Sequence, residues 1–311
     1  MKWKWTGNNI GLALGGGGAR GLAHIGVLKV LEEEQIPIAV IAGTSSGALI
    51  GAAYAGGLSA GDLEKKAAEY LNSMEFQSSV IRAIERANEE AEGSFTRKIQ
   101  SFFINKFYMA QAMFKPGILS TDEFQLMIDY FVPDIRIEDT RIPFHAVATD
   151  LVSCEEIVFS KGSLRRAVAA SCAVPGAVEP LKDGGKLLSD GGIVSMVPAR
   201  VALKEGADTV IAVVVDKNLA FYEELRTGID VSTRATDVMS RHLVNYDLKA
   251  ADIVIRPDVG NLQWSDFSQA LHLIDAGAKA ARANLQQIRH ATSGIRRYIP
   301  VKRILRNLLQ A

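Results

Sequence analysis

Cysteine is scarce in this sequence, and the scarcity excludes one class of protein. Two cysteines among 311 residues cannot supply the disulfide framework of a small secreted domain, so we expect Cys154 and Cys172 to be free thiols in a reducing compartment. Net charge is also absent, with 35 basic against 35 acidic residues and 48% hydrophobic residues. This balance excludes a disordered chain and gives no reason to expect nucleic acid as a partner.

The sequence also lacks a convincing export signal or membrane span. The two lysines near the amino terminus precede a glycine-rich segment that Arg20 interrupts, which does not fit a secretory signal. Residues 35–61 carry no charge and exceed the ~20 residues that cross a bilayer, but their glycines favour an internal strand, turn and helix. We therefore expect a cytoplasmic protein, with peripheral membrane contact as an open alternative.

Apolar and β-branched residues mark buried strands that alternate with helical patterns. The strands are predicted at residues 10–14, 36–42, 144–148, 209–215 and 253–255. This alternation predicts an α/β fold with a mostly parallel sheet and helices on both faces. At ~150 residues per domain the length allows two domains, but we expect one over residues 1–291.

Residues 62–115 carry helical patterns without any strand pattern, so we predict a helical insertion over one edge of the sheet. Its last part places Phe103, Phe107 and Phe114 on one helical face. Ordinary packing against the core explains this stripe, and so does a lipid-facing lid or the wall of an acyl pocket.

A G-x-S-x-G pattern stands between a predicted buried strand and a helix of small residues, with Gly43 and Gly47 on either side of Ser45. Such an elbow exposes a nucleophilic hydroxyl at a helix amino terminus, and the two glycines let strand and helix approach closely. Ser45 is therefore the candidate nucleophile. For the adjacent Ser46 we predict a helix-capping role.

Residues 15–21, which read GGGGARG, also lie between a predicted strand and a helix. Consecutive glycines present backbone amides to negative charge. A dinucleotide site would need an acidic residue at the end of the next strand, where Ser45 stands instead, and a Walker A loop would need Gly-Lys-Ser/Thr. We expect an oxyanion hole formed by Gly16, Gly17 and Gly18, with Arg20 supporting the loop.

Asp190 precedes Gly191 and Gly192 after an apolar stretch. Asp-Gly-Gly is usually a tight turn, but in a chain with a serine elbow and no strongly placed histidine, Asp190 becomes the leading candidate base. The alternative is a hydrolase triad completed by His242 or His272. Only two predicted strands precede Ser45, which is fewer than that fold requires.

Three ordered blocks resemble those of the patatin-like phospholipase family: GGGARG at 16–21, GTSSG at 43–47 and DGG at 190–192. The resemblance implies a three-layer α/β/α fold that hydrolyses acyl esters with a Ser-Asp dyad, without metal or cofactor. It makes Ser45 the nucleophile, Asp190 the base and the glycine loop the oxyanion hole. A phospholipid or another acyl ester is then the expected substrate, with a soluble esterase or thioesterase, or a lipid-binding regulatory protein, as alternatives.

The carboxyl-terminal region holds many basic residues and, from Ala276 onward, neither Asp nor Glu. Within residues 292–311 we predict a basic amphipathic helix that begins at Pro300, with Val301, Ile304 and Leu305 on its apolar face. That face either docks on the more acidic body of the protein or contacts an anionic membrane.

Overall fold

The computed structural model describes residues 9–91, 117–217 and 225–292. Within them the strands are β1 (Ile10–Leu14), β2 (Ile38–Thr44), β3 (Phe144–Asp150), β4 (Glu155–Phe159), β5 (Leu181–Asp183), β6 (Lys186–Asp190), β7 (Thr209–Val213) and β8 (Ile253–Ile255).

The α-helices in the same ranges are α1 (Ala23–Glu33), α2 (Ser46–Ala55), α3 (Ala60–Asn72), α4 (Met74–Gln77), α5 (Val80–Ala91), α6 (Thr121–Phe131), α7 (Leu164–Ser171), α8 (Ala199–Lys204), α9 (Gly228–Asp247), α10 (Ala270–Ala283) and α11 (Leu285–Thr292). Short 3-10 turns cover Gly18–Leu22, Ile137–Asp139, Gly191–Ile193 and Leu248–Ala250. No described helix combines the length and the apolarity that a bilayer crossing requires.

The strands form one mixed sheet in the order β5-β6-β3-β2-β1-β7-β8, with β4 also paired to β3. The five strands from β3 to β8 in this order are parallel, which confirms the predicted α/β fold. Strands β4, β5 and β6 are antiparallel additions that the sequence did not predict. They are short, partly exposed and rich in charged residues, so they lack the apolar signal of a buried strand.

Helices cover both faces of the sheet because side chains alternate along the buried strands. Leu12 and Leu14 of β1 face a cluster that includes α1, α2 and α10. Ala13, which lies between them, faces the opposite cluster with α8 and with Val244 of α9. The parallel strands are therefore buried on both sides, as their continuous apolar runs predicted.

Strand β2 extends two residues further than predicted. We expected it to end at Ala42 and to be followed by a turn over residues 43–47. Instead, parallel pairing continues through Thr44, and α2 begins at Ser46. The glycines at 43 and 47 led us to expect a longer turn than the chain forms. Ser45 is the single residue between β2 and α2.

Two predicted segments lie partly or wholly outside the described residues. Residues 62–91 of the predicted insertion form α3, α4 and α5, whereas residues 92–115, with the phenylalanine stripe, are not described. Helix α11 ends at Thr292, so the predicted basic amphipathic helix also lies outside the described residues. The division at residue 291 remains a prediction.

Candidate active site

The candidate site lies where two strands meet head-on along one edge of β3. Val147 of β3 pairs with Thr44 of β2 on one side and with β4 on the other. The next residue, Ala148, still pairs with β4, but its second partner is Asp190 of β6. Because β2 is parallel to β3 and β6 is antiparallel to it, the two strands run towards each other and bring Ser45 and Asp190 together.

Ser45 occupies a strained turn. Its backbone angles are φ 53° and ψ −125°. Residues other than glycine rarely adopt this conformation, and those that do are concentrated at functional sites. A Cβ atom on Gly43 would lie 2.6 Å from the Cα of Ala48, and one on Gly47 would lie 2.2 Å from the carbonyl oxygen of Leu14. Both glycines are therefore required by close backbone approach, as the sequence pattern predicted.

The carboxyl end of α7 holds the backbone of Ser45 in place. The hydroxyl of Ser171 accepts a hydrogen bond from the Ser45 amide at 2.9 Å and donates to the Val147 carbonyl at 2.6 Å. The thiol of Cys172 donates to the Ser45 carbonyl at 3.1 Å. Sequence reasoning assigned no role to Ser171, because a serine at the end of an apolar helix has no pattern that reveals its distant partners.

Asp190 is buried beside Ser45, with 6% of its surface exposed. Its carboxylate accepts a hydrogen bond from the Gly192 amide at 2.7 Å. Burial raises the pKa of Asp190 to about 6, and the neighbouring Ser45 hydroxyl and the Gly192 amide oppose the rise. The group is therefore ionised at neutral pH and is a stronger base than an aspartate in water.

Two backbone amides of the glycine loop have no hydrogen-bond acceptor among the described residues. The amides of Gly15 and Gly16 donate to the carbonyls of Val213 and Met196 at 3.0 and 2.9 Å, so the Gly16 amide is already engaged. Within the described chain, the amides of Gly17 and Gly18 donate to no protein acceptor. These two amides are the remaining candidates for stabilising an oxyanion.

Two side chains donate hydrogen bonds to backbone carbonyls of this loop. His24 donates from Nε2 to the Gly15 carbonyl at 2.8 Å, and Arg20 donates from Nε to the Gly17 carbonyl at 3.0 Å. Burial lowers the pKa of His24 to about 4, so the ring stays neutral with its proton on Nε2. The supporting role of Arg20 stays a prediction, with this contact as its structural basis.

Ser46 does not cap α2, contrary to expectation. It is the first residue of the helix, and its hydroxyl is buried without a hydrogen-bond partner among the described residues. A Cβ atom on Gly21 would lie 2.4 Å from this hydroxyl. The side chain fills the space left by Gly21 instead of turning back to the helix amides.

An apolar cavity of about 130 Å³ opens beside Ser45. Its lining includes Tyr70, Leu71, Phe76, Phe124, Val178 and Phe267. A space lined almost entirely by apolar groups accepts apolar ligands. Helices α3 to α5 supply part of the lining, so the described part of the predicted insertion forms one wall.

The loop that carries Trp264 and Phe267 joins this wall to the glycine loop. The Trp264 carbonyl accepts a hydrogen bond from the Ala19 amide at 2.7 Å. The Phe267 amide donates to the carboxylate of Glu85 on α5 at 2.9 Å. The cavity and the glycine loop are thereby linked through one short segment.

The other candidate groups lie apart from this constellation. His242 and His272 are exposed on α9 and α10, which agrees with the expectation that neither completes a triad. Asp150, at the end of β3, accepts hydrogen bonds from Val152 and Ser153 in the turn that follows and from Leu187 on β6. Cys154 is exposed and Cys172 buried, both as free thiols. Among described residues no cluster of three His, Cys, Asp or Glu could hold a metal ion.

Comparison with known proteins identifies relatives of this chain. The profile of the patatin-like phospholipase family matches residues 12–203. Human patatin-like phospholipase domain-containing protein 6 is 38% identical over 229 residues, 72% of this chain and 15% of that protein. An uncharacterized NTE family protein of Mycobacterium tuberculosis is 29% identical over 308 residues, 90% of this chain and 47% of that protein. The neuropathy target esterase sws of Drosophila melanogaster is 35% identical and spans 72% of this chain and 14% of that protein.

Among solved structures, VipD from Legionella pneumophila has a TM-score of 0.50 at 14% identity, covering 90% of this chain and 67% of that chain. At this identity the likeness concerns the fold alone. The chain spans less than half the length of the curated relatives described above. The profile match covers more than half of the chain, and on this ground the chain belongs to the patatin-like phospholipase family.

Proposed function

We propose that this chain is a serine acyl hydrolase that cleaves acyl esters of lipids, with Ser45 as nucleophile and Asp190 as base. The observation that carries the proposal is that the fold brings a serine on a strained elbow beside a buried carboxylate, and that this serine lines an apolar cavity. Membership of the patatin-like phospholipase family supports the same chemistry.

The first step acylates the serine. Asp190 takes the proton from the Ser45 hydroxyl as the oxygen attacks the ester carbonyl, and the carbonyl electrons move onto the oxygen. The amides of Gly17 and Gly18 donate to this oxyanion. When the carbonyl re-forms, the ester bond breaks, and protonated Asp190 gives its proton to the departing alcohol.

The second step releases the acyl group. Asp190, ionised again, takes a proton from water as the water oxygen attacks the acyl-serine. The oxyanion forms at the same two amides, and its collapse expels the Ser45 oxygen, which recovers the proton from Asp190. The products are a fatty acid and the free enzyme.

The surroundings compensate for the weakness of an aspartate as a base. Burial raises the pKa of Asp190 to about 6, which brings the carboxylate closer to the basicity that proton transfer needs at neutral pH. Each oxyanion donor typically contributes ~2.7 to 4 kcal/mol to the transition state. Arg20 and His24 hold the loop that supplies these donors.

The cavity favours a lipid ester over a small polar ester. Its lining is almost wholly apolar and starts at the candidate nucleophile, so an acyl chain can lie in it while its carbonyl reaches Ser45. Burial of each methylene contributes ~0.8 kcal/mol. A long acyl chain therefore gains binding energy that a short-chain acid lacks.

A fluorophosphonate probe tests the proposal, because only an activated serine reacts with it. We expect labelling of the wild type and of Ser46→Ala, but none of Ser45→Ala. Ser46→Ala is the matched control, since it removes the adjacent buried hydroxyl that has no partner in the described structure. Equal labelling of Ser45→Ala and wild type would contradict the nucleophile assignment.

A substrate panel then separates the alternatives. Phospholipids, lysophospholipids and long-chain acyl-CoA should be compared with short-chain soluble esters. We expect the largest kcat/KM for a long-chain lipid ester. A preference for short-chain esters would favour a soluble esterase, a preference for acyl-CoA a thioesterase, and probe labelling without turnover a lipid-binding protein.

A further inference from the structure

Asp247 lies outside the three motifs but close to all of them. It is the last residue of α9, and its side chain is completely buried, with 0% exposed. Burying a carboxylate is unfavourable unless hydrogen bonds replace the lost water. The partners of Asp247 therefore indicate what its position achieves.

Those partners lie in one short segment, residues 195–197. The Val197 amide donates to the Asp247 carboxylate at 2.9 Å. The Ser195 hydroxyl lies 3.5 Å from each carboxylate oxygen. One carboxylate thus contacts both ends of this segment.

The opposite side of this segment contacts the catalytic loops. The Ser195 carbonyl accepts a hydrogen bond from the Thr44 hydroxyl at 2.9 Å, and Thr44 directly precedes the candidate nucleophile. The Met196 carbonyl accepts a hydrogen bond from the Gly16 amide at 2.9 Å, and Gly16 directly precedes the candidate oxyanion donors.

The segment is also tied to the aspartate motif. The Ser195 amide donates to the Gly191 carbonyl at 2.8 Å, one residue after the candidate base. All three motifs therefore contact residues 195–197, and the carboxylate of Asp247 holds the far side of that segment.

We propose that Asp247 is a positioning residue of the active site, which fixes residues 195–197 and, through Thr44 and Gly16, aligns the nucleophile with the oxyanion donors. The proposal rests on the hydrolase function proposed above. Asp247 is not placed in contact with substrate.

The apolar contacts of α9 do not require a carboxylate at this position. Val244 already anchors the end of the helix in the cluster that includes Val197 and Val201. A carboxylate can accept several hydrogen bonds on its two oxygens, whereas an amide side chain offers only one acceptor oxygen. Asp247→Asn therefore keeps the shape but loses part of the hold on residues 195–197.

Protonation should weaken the hold in the same way. Burial raises the pKa of Asp247 to about 6; the charge of Glu156 on β4 raises it further, and Arg200 on α8 and the backbone amides of residues 196 and 197 lower it. Arg200 approaches the carboxylate to 3.9 Å. Asp190 must also be ionised, with a pKa of about 6. Two protonations then lower activity, and on the acid side log kcat should fall with a slope steeper than one.

The test compares Asp247→Asn with the matched control Asp252→Asn. Asp252 also accepts a backbone hydrogen bond, from the Val210 amide at 3.0 Å, but near the start of β7, away from the site. We expect Asp247→Asn to lower kcat about tenfold above pH 7, to leave KM within about twofold, and to reduce the acid slope to one. Asp252→Asn should change none of these quantities.

Failure of this proposal is distinct from failure of the hydrolase function, which would appear as a wild type without Ser45-dependent turnover. If the wild type is active, a wild-type acid slope of one overturns the positioning role. So does an Asp247→Asn variant whose kcat or slope matches the wild type. If Asp247→Asn does not fold, as judged by thermal unfolding, the wild-type slope decides.

Discussion

The two sides of Ser45 are held by different kinds of interaction. On the catalytic side, backbone hydrogen bonds fix almost every position, such as that from the Gly16 amide to Met196 at 2.9 Å. On the cavity side, aromatic rings pack without directional bonds; the Tyr70 ring centroid lies 5.4 Å from that of Phe131 and 5.7 Å from that of Phe76.

The proposed function explains this difference by what each side would recognise. A transition state needs donors placed to within a fraction of an ångström, and only a covalent backbone with fixed hydrogen bonds holds such positions. An acyl chain needs only volume and apolar surface. Changes on the catalytic side should therefore alter kcat, whereas changes in the cavity wall should alter which chain is accepted.

The largest expected effect is on the catalytic side. Asp190→Asn should lower kcat by about 10³-fold or more, because the amide is nearly the same shape but cannot accept the serine proton. The measurement is steady-state hydrolysis of a long-chain ester. Asp150→Asn is the matched control, a buried aspartate that accepts backbone hydrogen bonds from Val152 and Leu187, and it should keep kcat within about threefold. Comparable activity in Asp190→Asn and wild type would remove the dyad.

The same substitution should stabilise the protein. A rise in the pKa of Asp190 from 3.8 to about 6 means that ionisation costs the folded state at most about 3 kcal/mol. Because the pKa is higher in the folded state than in the unfolded state, the wild type has its full unfolding free energy below about pH 4. It loses up to this amount as pH rises through about 6. Urea unfolding should therefore show Asp190→Asn to be more stable than wild type at pH 8, with the difference vanishing near pH 4. A variant that is less stable than wild type at pH 8 would show that ionised Asp190 does not destabilise the folded state.

On the cavity side, Ala67→Leu should shift chain-length preference. Ala67 is buried in α3 and lines the cavity, so the added carbons occupy space that two or so methylenes of substrate would fill. At ~0.8 kcal/mol per methylene, kcat/KM for a long-chain ester should fall about tenfold and that for a short-chain ester should not. Ala68→Leu, at the exposed neighbouring position, should leave the profile across an ester series unchanged. An equal loss for every chain length would place the effect in the chemistry instead.

The smallest expected effect concerns the support of the glycine loop. Arg20→Lys keeps a positive charge but removes the Nε donor to the Gly17 carbonyl, and a hydrogen bond from a charged group is worth ~1.5 kcal/mol or more. We expect kcat to fall five- to tenfold, by about 1 to 1.4 kcal/mol, with little change in KM. The control is Arg165→Lys, which removes a similar Nε bond to the Val132 carbonyl far from the loop. A change in KM alone would argue that Arg20 contacts substrate.

The sequence predicted the parallel core of the fold, and it pointed to the three motifs that the fold places together, because both depend on local patterns. Buried strands carry continuous apolar runs, and Ser45 and Asp190 stand beside glycines that tight backbone packing requires. The roles of Ser171 and Asp247 were not predicted, since each acts through partners far away in the chain and neither stands in a recognisable pattern. The Ser46 cap was predicted wrongly because capping propensity ignores the contact with Gly21.

Because β2 and β6 meet end to end along β3, the distance between Ser45 and Asp190 does not depend on how many residues lie between them in the sequence. Thr44 and Asp190 pair with Val147 and Ala148, neighbours that lie about 3.3 Å apart along β3. Pairing with β3 thus fixes this distance, and the segments between the motifs can lengthen or shorten without changing it. Sequence changes that alter which acyl chain is bound can therefore accumulate in those segments while Ser45 and Asp190 keep their relative positions.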